Sequence, residues 1–338
     1  MNPQKIILSA LIPSVQHLII SRTDNLGDVL LTLPIAGYLK QTYPNLKISF
    51  IGKPYTKAII DSCKFIDEFI NKEEIIQSKK LYADAILFIF PDKEVAKIAW
   101  SNNIKYRIGT SNRIYHWLYC NKKIYFSRKK SELHEAQLNF KLLLGLGIDF
   151  IPSKESIPNW YGIVAPKHDF SDWLNPEKKH FILHPKSKGS AREWPIQKYH
   201  TLAQELSKNN YEVWVTGTEA EGKKILNEFP HFFSSHSIHN LTGKISLEEL
   251  ISFISQTEGI VACSTGPLHI AASLEKKAIG IYPPLKPIHP GRWAALGKKT
   301  QILVSQKECQ NCIASQCACI EKISIDEVLK AIDFEPSK

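Results

Sequence analysis

Residues 18–28 read Leu-Ile-Ile-Ser-Arg-Thr-Asp-Asn-Leu-Gly-Asp. A short apolar run passes through a polar turn with one glycine into a helix-like segment, 28–42. That strand–turn–helix unit then repeats. Further strands are expected at 48–51, 68–70, 85–90 and 106–109, with helices at 58–63, 94–101 and 134–146, the last ended by Gly147. Pro152, Pro158, Pro166 and Pro176 mark residues 151–179 as a linker. Beyond it the alternation restarts, with strands at 181–184, 212–216, 239–241, 259–263 and 278–282. Helices are expected near 195–209 and at 219–229, 247–256, 267–274 and 326–334. Alternating units of this kind build parallel sheets covered by helices. The chain is therefore expected to be α/β, with two Rossmann-like domains at residues 1–165 and 166–338. In such sheets ligands lie beyond the carboxyl ends of the strands, so the loops after strands are where chemistry is sought.

The chain has 338 residues, enough for two cores, and 43 Lys and Arg against 33 Asp and Glu give a net charge of +10. An excess of that size points to nucleic acid, an anionic membrane surface or a phosphorylated substrate. The basic residues are scattered, and no zinc finger, basic arm or RNA-binding signature accompanies them, which argues against nucleic acid. Residues 1–15 lack a convincing cleavage site, and no apolar run approaches the ~18 residues of a membrane span. A cytoplasmic protein resting on a membrane surface is expected.

Four loops carry candidate chemistry. In Arg22-Thr23-Asp24-Asn25-Leu26-Gly27-Asp28, Gly27 is expected to ease a tight turn, and Asp28 either caps the helix or faces a ligand. The single glycine rules out the dinucleotide fingerprint and the P-loop. The loop from His184 to Pro195 mixes Ser187 and other small residues with Lys186, Lys188 and Arg192, a composition suited to a diphosphate. In the loop from Thr216 to Glu221, a carboxylate after a strand–glycine turn suits ribose hydroxyls, and a helix first turn explains it equally. Ser264-Thr265-Gly266-Pro267-Leu268-His269 joins an apolar strand to a helix start whose amides would face an anion. His269 is either a ligand contact or a structural residue.

Seven cysteines are present. Cys63, Cys120 and Cys263 read as unpaired thiols, at least partly buried. Cys309, Cys312, Cys317 and Cys319 crowd together and could hold zinc as four thiolates, although the single-residue gap between Cys317 and Cys319 is tight for a zinc pair. Unmetallated thiols are the preferred reading, and no metal is assigned.

Together the loops resemble glycosyltransferase family 9, the bacterial heptosyltransferases of lipopolysaccharide core synthesis. The resemblance spans nearly the whole chain. It runs through Arg22-x-Asp24-x-x-Gly27-Asp28 with Leu33-Pro34, Leu39-Lys40 with Tyr43-Pro44, and His134-Glu135 with Asn139, Leu142 and Gly147. It continues in Trp194-Pro195 with Tyr199 and Leu202-Ala203, Thr216-Gly217 with Glu221, and Ser264-Thr265-Gly266-Pro267-x-His269-x-Ala271-Ala272.

The resemblance implies a GT-B fold, two Rossmann-like domains facing each other across a cleft. The N-terminal domain would take the acceptor, a lipid A–core type molecule, and the C-terminal domain a nucleotide sugar, typically ADP-heptose. Transfer would invert the anomeric centre without metal or cofactor. Asp28 matches the general base, with Arg22, Asn25 and Gly27 on the acceptor side. Arg192 matches a position where a Lys usually contacts the donor phosphate, alongside Lys186, Ser187 and Lys188. Glu221 matches the ribose carboxylate, with Glu219 a near competitor. Ser264, Thr265, Gly266 and His269 complete the donor side. Many members carry Asp where this chain has Ser264, which bears on the donor sugar. The alternatives are another GT-B nucleotide-sugar enzyme, an epimerase or hydrolase, and a degenerate binder without turnover.

Overall fold

The structure is a computed structural model and describes residues 12–128, 131–187, 189, 191–285, 288–305 and 318–333. It divides into two compact units, Met1–Val164 and Ala165–Lys338.

The first unit contributes strands β1 (His17–Ser21), β2 (Lys47–Gly52), β3 (Glu68–Asn71), β4 (Ala85–Phe88), β5 (Tyr106–Thr110) and β6 (Lys122–Ile124). Between and after them lie α1 (Leu26–Leu30), α2 (Pro34–Thr42), α3 (Lys57–Asp61), α4 (Lys72–Ser78), α5 (Lys93–Ser101), α6 (Ile114–Tyr119) and α7 (Glu135–Phe140). The second unit contributes β7 (Lys179–His184), β8 (Tyr211–Val215), β9 (Ile238–Asn240), β10 (Gly259–Cys263), β11 (Lys277–Tyr282) and β12 (Thr300–Val304). Its helices are α8 (Ile196–Lys208), α9 (Glu219–Glu228), α10 (Leu247–Gln256), α11 (Gly266–Ser273), α12 (Pro290–Trp293) and α13 (Ile325–Asp333).

All neighbouring strands pair in parallel. The first sheet runs β3-β2-β1-β4-β5-β6 and the second β12-β11-β10-β7-β8-β9. These are one topology used twice, the Rossmann order. Central strands are buried on both faces, so β4 and β10 read as continuous apolar runs. In the second unit α8 turns Ile196, Tyr199, Leu202, Ala203 and Leu206 onto the sheet, the stripe expected of a helix with one covered face.

Two expected helices are each divided. Residues 28–42 form α1 and α2, because Pro34 brings no N–H and instead opens α2. Residues 134–146 form α7 and then a tighter turn, Lys141–Leu146, closed by Gly147 at φ 81°. There Gly145 sits so close to β5 that an added Cβ would lie 2.5 Å from Ile108.

In each sheet the chain order reverses between two strands: β1 and β4 in the first, β7 and β10 in the second. The crevice at such a reversal is where this topology holds ligands. The loops after β1, β7 and β10 all open there, and the loop after β8 lies one strand away.

Candidate active site

The loop after β1 is built around one buried cation. Arg22 is 3% exposed. Its Nε donates to Asp24 Oδ1 at 2.7 Å and its Nη2 to Asp28 Oδ1 at 2.5 Å. Nη1 reaches Glu135 Oε1 at 3.2 Å and Asn139 Oδ1 at 3.4 Å, both on α7. Arg128, on the segment after β6, pairs with the same Glu135, reaches Asn139 Oδ1 at 3.2 Å and donates Nη2 to Ile89 O at 3.1 Å. Asn139 in turn donates Nδ2 to Leu31 O at 3.1 Å and Thr32 Oγ1 at 3.2 Å, and Thr32 donates to Asp28 O at 2.9 Å. Planar guanidinium forks suit such multiple recognition, and the result is a loop with little freedom left in it.

Three carboxylates face two guanidiniums here, so one negative charge is in excess. Burial pushes the Asp28 carboxyl up to about 6; Arg22 pulls it down, while Asp24 and Glu135 push it further up. Burial works against the Arg22 cation, but its three carboxylates hold its pKa above the ordinary value. Asp28 is thus ionised at neutral pH yet has real proton affinity, as a general base requires.

The helix-cap reading of Asp28 does not describe the structure. Asn25 occupies the N-cap of α1 with no side-chain capping bond, and the Asp28 carboxylate goes to Arg22. Two expectations for this loop change. Arg22 is too buried to meet an acceptor and acts as the holder of Asp28. Gly27 lies in the first turn of α1, outside the left-handed region, so it eases no tight turn. Asn25 is exposed beside it.

Other residues enter the site unannounced by the sequence reading. Arg128 is one. Asp92 is another: it caps α5, accepts from Thr23 Oγ1 at 3.1 Å and pairs with Lys72 at 2.7 Å. Tyr55 donates to Asp24 O at 2.7 Å, and its pKa is raised by burial and then by Asp24 and Asp28. Glu135 and Asn139 had a readable signal, since residues four apart on a helix share a face.

A pH dependence follows. With a folded-state value of about 6, Asp28 is deprotonated above that pH and protonated below it. Activity should rise with pH through an acidic limb near 6, and kcat/KM should drop about tenfold per unit below it. A pH–rate profile measured under first-order conditions checks this; a limb near 4 would mean that the base is an ordinary solvated carboxylate.

In the second unit the loop after β7 is organised by Glu193. Its Oε1 accepts from Ser187 N at 2.8 Å and Ser187 Oγ at 3.2 Å, and its Oε2 from Lys186 Nζ at 3.1 Å. Lys186 also pairs with Glu228 at 2.5 Å. Lys186 was expected to neutralise a diphosphate, but its charge is met by two carboxylates and its side chain is buried. Arg192 is half-buried on the same loop. Trp194 anchors the loop's far end, fully buried, with Nε1 donating to Ile323 O at 3.1 Å. Lys188 lies outside the described residues.

Glu221 closes a capping box at the start of α9: Oε2 accepts from Thr218 N at 2.7 Å and Thr218 Oγ1 at 2.9 Å. The helix-start reading therefore accounts for one of its oxygens. Glu219 pairs outward with Lys223. His184, at the end of β7, shares a hydrogen bond with Thr216 Oγ1 at 3.0 Å, tying the β7 and β8 loops together.

After β10, α11 begins at Gly266, one residue earlier than expected, with Thr265 as N-cap and Pro267 in the first turn. Thr265 Oγ1 is buried and has no hydrogen-bond partner among the described residues. First-turn amides have no acceptor within their own helix, so this is where an anion is best received. His269 is buried one turn in. Ser264 is half-buried in the turn between β10 and α11.

Cys63, Cys120 and Cys263 are free and buried, and Cys319 is buried. Burial pushes Cys63 and Cys263 up to about 11 and Cys120 to about 12, so these thiols are inert at neutral pH. Cys309, Cys312 and Cys317 lie outside the described residues.

Two units of Rossmann order are the architecture of the GT-B glycosyltransferases. Residues 83–322 match glycosyltransferase family 9 (heptosyltransferase), and the chain belongs to that family. It is similar to a Haemophilus influenzae protein provisionally named a glycosyltransferase, at 24% identity over 348 residues covering 95% of this chain and 96% of the relative. It is also similar to lipooligosaccharide heptosyltransferase 2 of Campylobacter jejuni, at 24% identity over 91% of this chain and 95% of the relative. Among solved structures it shares the fold of E. coli ADP-heptose LPS heptosyltransferase II, with a TM-score of 0.72 at 17% identity, covering 94% of this chain and 97% of that one.

Proposed function

We propose that the chain transfers heptose from ADP-heptose to a lipopolysaccharide core or related cell-envelope acceptor, with inversion and without a metal. The observation that carries this reading is Asp28: fixed by Arg22, on the loop after β1, with its pKa raised to about 6. In this mechanism Asp28 takes the proton of the acceptor hydroxyl as that oxygen attacks the anomeric carbon, and ADP departs with the bonding electrons. Arg192 and the amides of Thr265 and Gly266 stabilise the charge that develops on the diphosphate. Thr265 Oγ1, buried without a described partner, is a further donor to it. Glu221 keeps Oε1 for a ribose hydroxyl, since Oε2 belongs to the capping box. The relatives' names support heptose and ADP. Ser264 makes the donor sugar the point to test.

Calorimetric titration with ADP-heptose, ADP-glucose, UDP-glucose, GDP-mannose and CMP-sialic acid decides the donor. Tightest binding of ADP-heptose is expected; tighter binding of any non-adenine donor overturns the reading. Arg192→Ala should weaken ADP binding about 10- to 100-fold, as for one hydrogen bond to a charged group. Unchanged affinity would remove Arg192 from the phosphate site.

A further inference from the structure

The first unit exposes apolar side chains in one place to an unusual degree. Ile114, Trp117, Leu118 and Tyr125 are 64–87% exposed, and Trp100 on the adjoining α5 is half exposed. They belong to neighbouring elements: α5 packs against α6, Trp100 and Tyr119 have ring centroids 5.9 Å apart, and Asn112 Nδ2 donates to Phe126 O at 2.6 Å. Isolated exposed apolar residues need no explanation, but a cluster on one short helix and its neighbours does.

The surrounding charge is one-sided. From Lys93 to Arg128 the chain carries eight Lys or Arg and a single acidic residue, Glu94. Lys97, Lys105, Arg113 and Lys122 are exposed around the apolar group, and Lys123 Nζ lies 5.3 Å over the Trp117 ring. Indole and phenol rings with ammonium groups beside them are suited to the headgroup layer of a bilayer, where apolar bodies sink and charged tips stay wet. The alternative occupant, a second copy placed by two-fold symmetry, would bring this basic surface against itself.

We infer that α6 and the β6–Tyr125 segment form a membrane-docking face that takes the surface of a bilayer rich in anionic phospholipid. The face stands close to the reaction loop. Tyr125 is three residues from Arg128, which shares Glu135 with Arg22, the holder of Asp28. Ile114 follows the carboxyl end of β5, at the same sheet end as the Asp28 loop. Docking here would present Asp28 to hydroxyls of molecules anchored in the bilayer. Among the described residues no helix is long and apolar enough to cross a membrane, so contact of this kind would be at the surface.

Flotation of the full chain with phosphatidylcholine vesicles, and with vesicles containing phosphatidylglycerol, tests the inference without donor or acceptor, so its outcome is independent of the proposed transfer. Binding is expected only to the anionic vesicles, and 0.5 M salt should weaken it at least about tenfold. The triple variant Ile114→Ser, Leu118→Ser, Tyr125→Ser should lose at least about tenfold in partitioning, and so should the charge variant Arg113→Glu, Lys122→Glu. Both should keep the wild-type melting temperature and ADP affinity. Equal binding to neutral vesicles, undiminished binding by both variants, or a concentration-dependent dimer that the triple variant dissociates would overturn the assignment.

Discussion

Replacing Asp28 by Asn should lower kcat by about 10²- to 10⁴-fold while leaving the affinity for the nucleotide sugar unchanged. Asn is nearly the same size, and its amide oxygen can still accept from Arg22 Nη2, so the loop keeps its geometry. What it loses is the ability to take a proton. If Asp28 served only to hold Arg22, Asn would cost stability and little rate. If it is the base, rate falls and the melting temperature barely moves. The acidic limb near pH 6 should vanish from the residual activity, because the group that titrates there is gone. Single-turnover measurement with saturating donor separates chemistry from product release. A variant retaining more than a tenth of wild-type turnover, with the limb still near 6, would show that another group takes the proton.

The sequence yields the fold where burial writes it plainly. Strands buried on both faces, such as β4 and β10, stand out as apolar runs, and their spacing alone implies a doubled parallel fold. One edge strand of each sheet, β6 in the first and β12 in the second, did not stand out. β6 is Lys-Lys-Ile, with one face wet, and β12 is half-buried along its whole length. At an edge the backbone ladder carries the pairing, so side-chain composition says little. The candidate site divides in the same way. Asp28, Arg192 and the Thr265–Gly266 helix start lie on loops whose position follows from the fold. Where side chains pair over long range, local sequence is silent. Nothing near Lys186 announces that Glu228, 42 residues later, will neutralise it. Nothing near Arg22 announces Glu135, which reaches it only because α7 returns to the end of β1, or Arg128, which joins the cluster through that same carboxylate.

That long-range arrangement carries the largest stability effect expected here. Arg22→Met should destabilise the first unit by about 3–5 kcal/mol, the range for removing one partner of a buried ion pair. The methionine fills much the same volume, so the loss is electrostatic: Asp24, Asp28 and Glu135 lose the cation they converge on. In a unit of this size that should lower its melting temperature by roughly 10 °C. Arg22→Lys keeps the charge but cannot serve three carboxylates with one compact ammonium, so it should fall between. The double variant Arg22→Met, Glu135→Gln should be more stable than Arg22→Met alone: without Arg22 three carboxylates face Arg128 alone, and the glutamine removes one of the two negative charges then in excess. Glu135→Gln by itself should cost less than Arg22→Met, since Arg22 keeps Asp24 and Asp28. The interaction energy from the four proteins of this cycle should be well above the ~0.5 kcal/mol scatter of independent sites. Strict additivity would mean that Arg22 and Glu135 merely lie side by side, and Asp28 would then need some other account of how it is held.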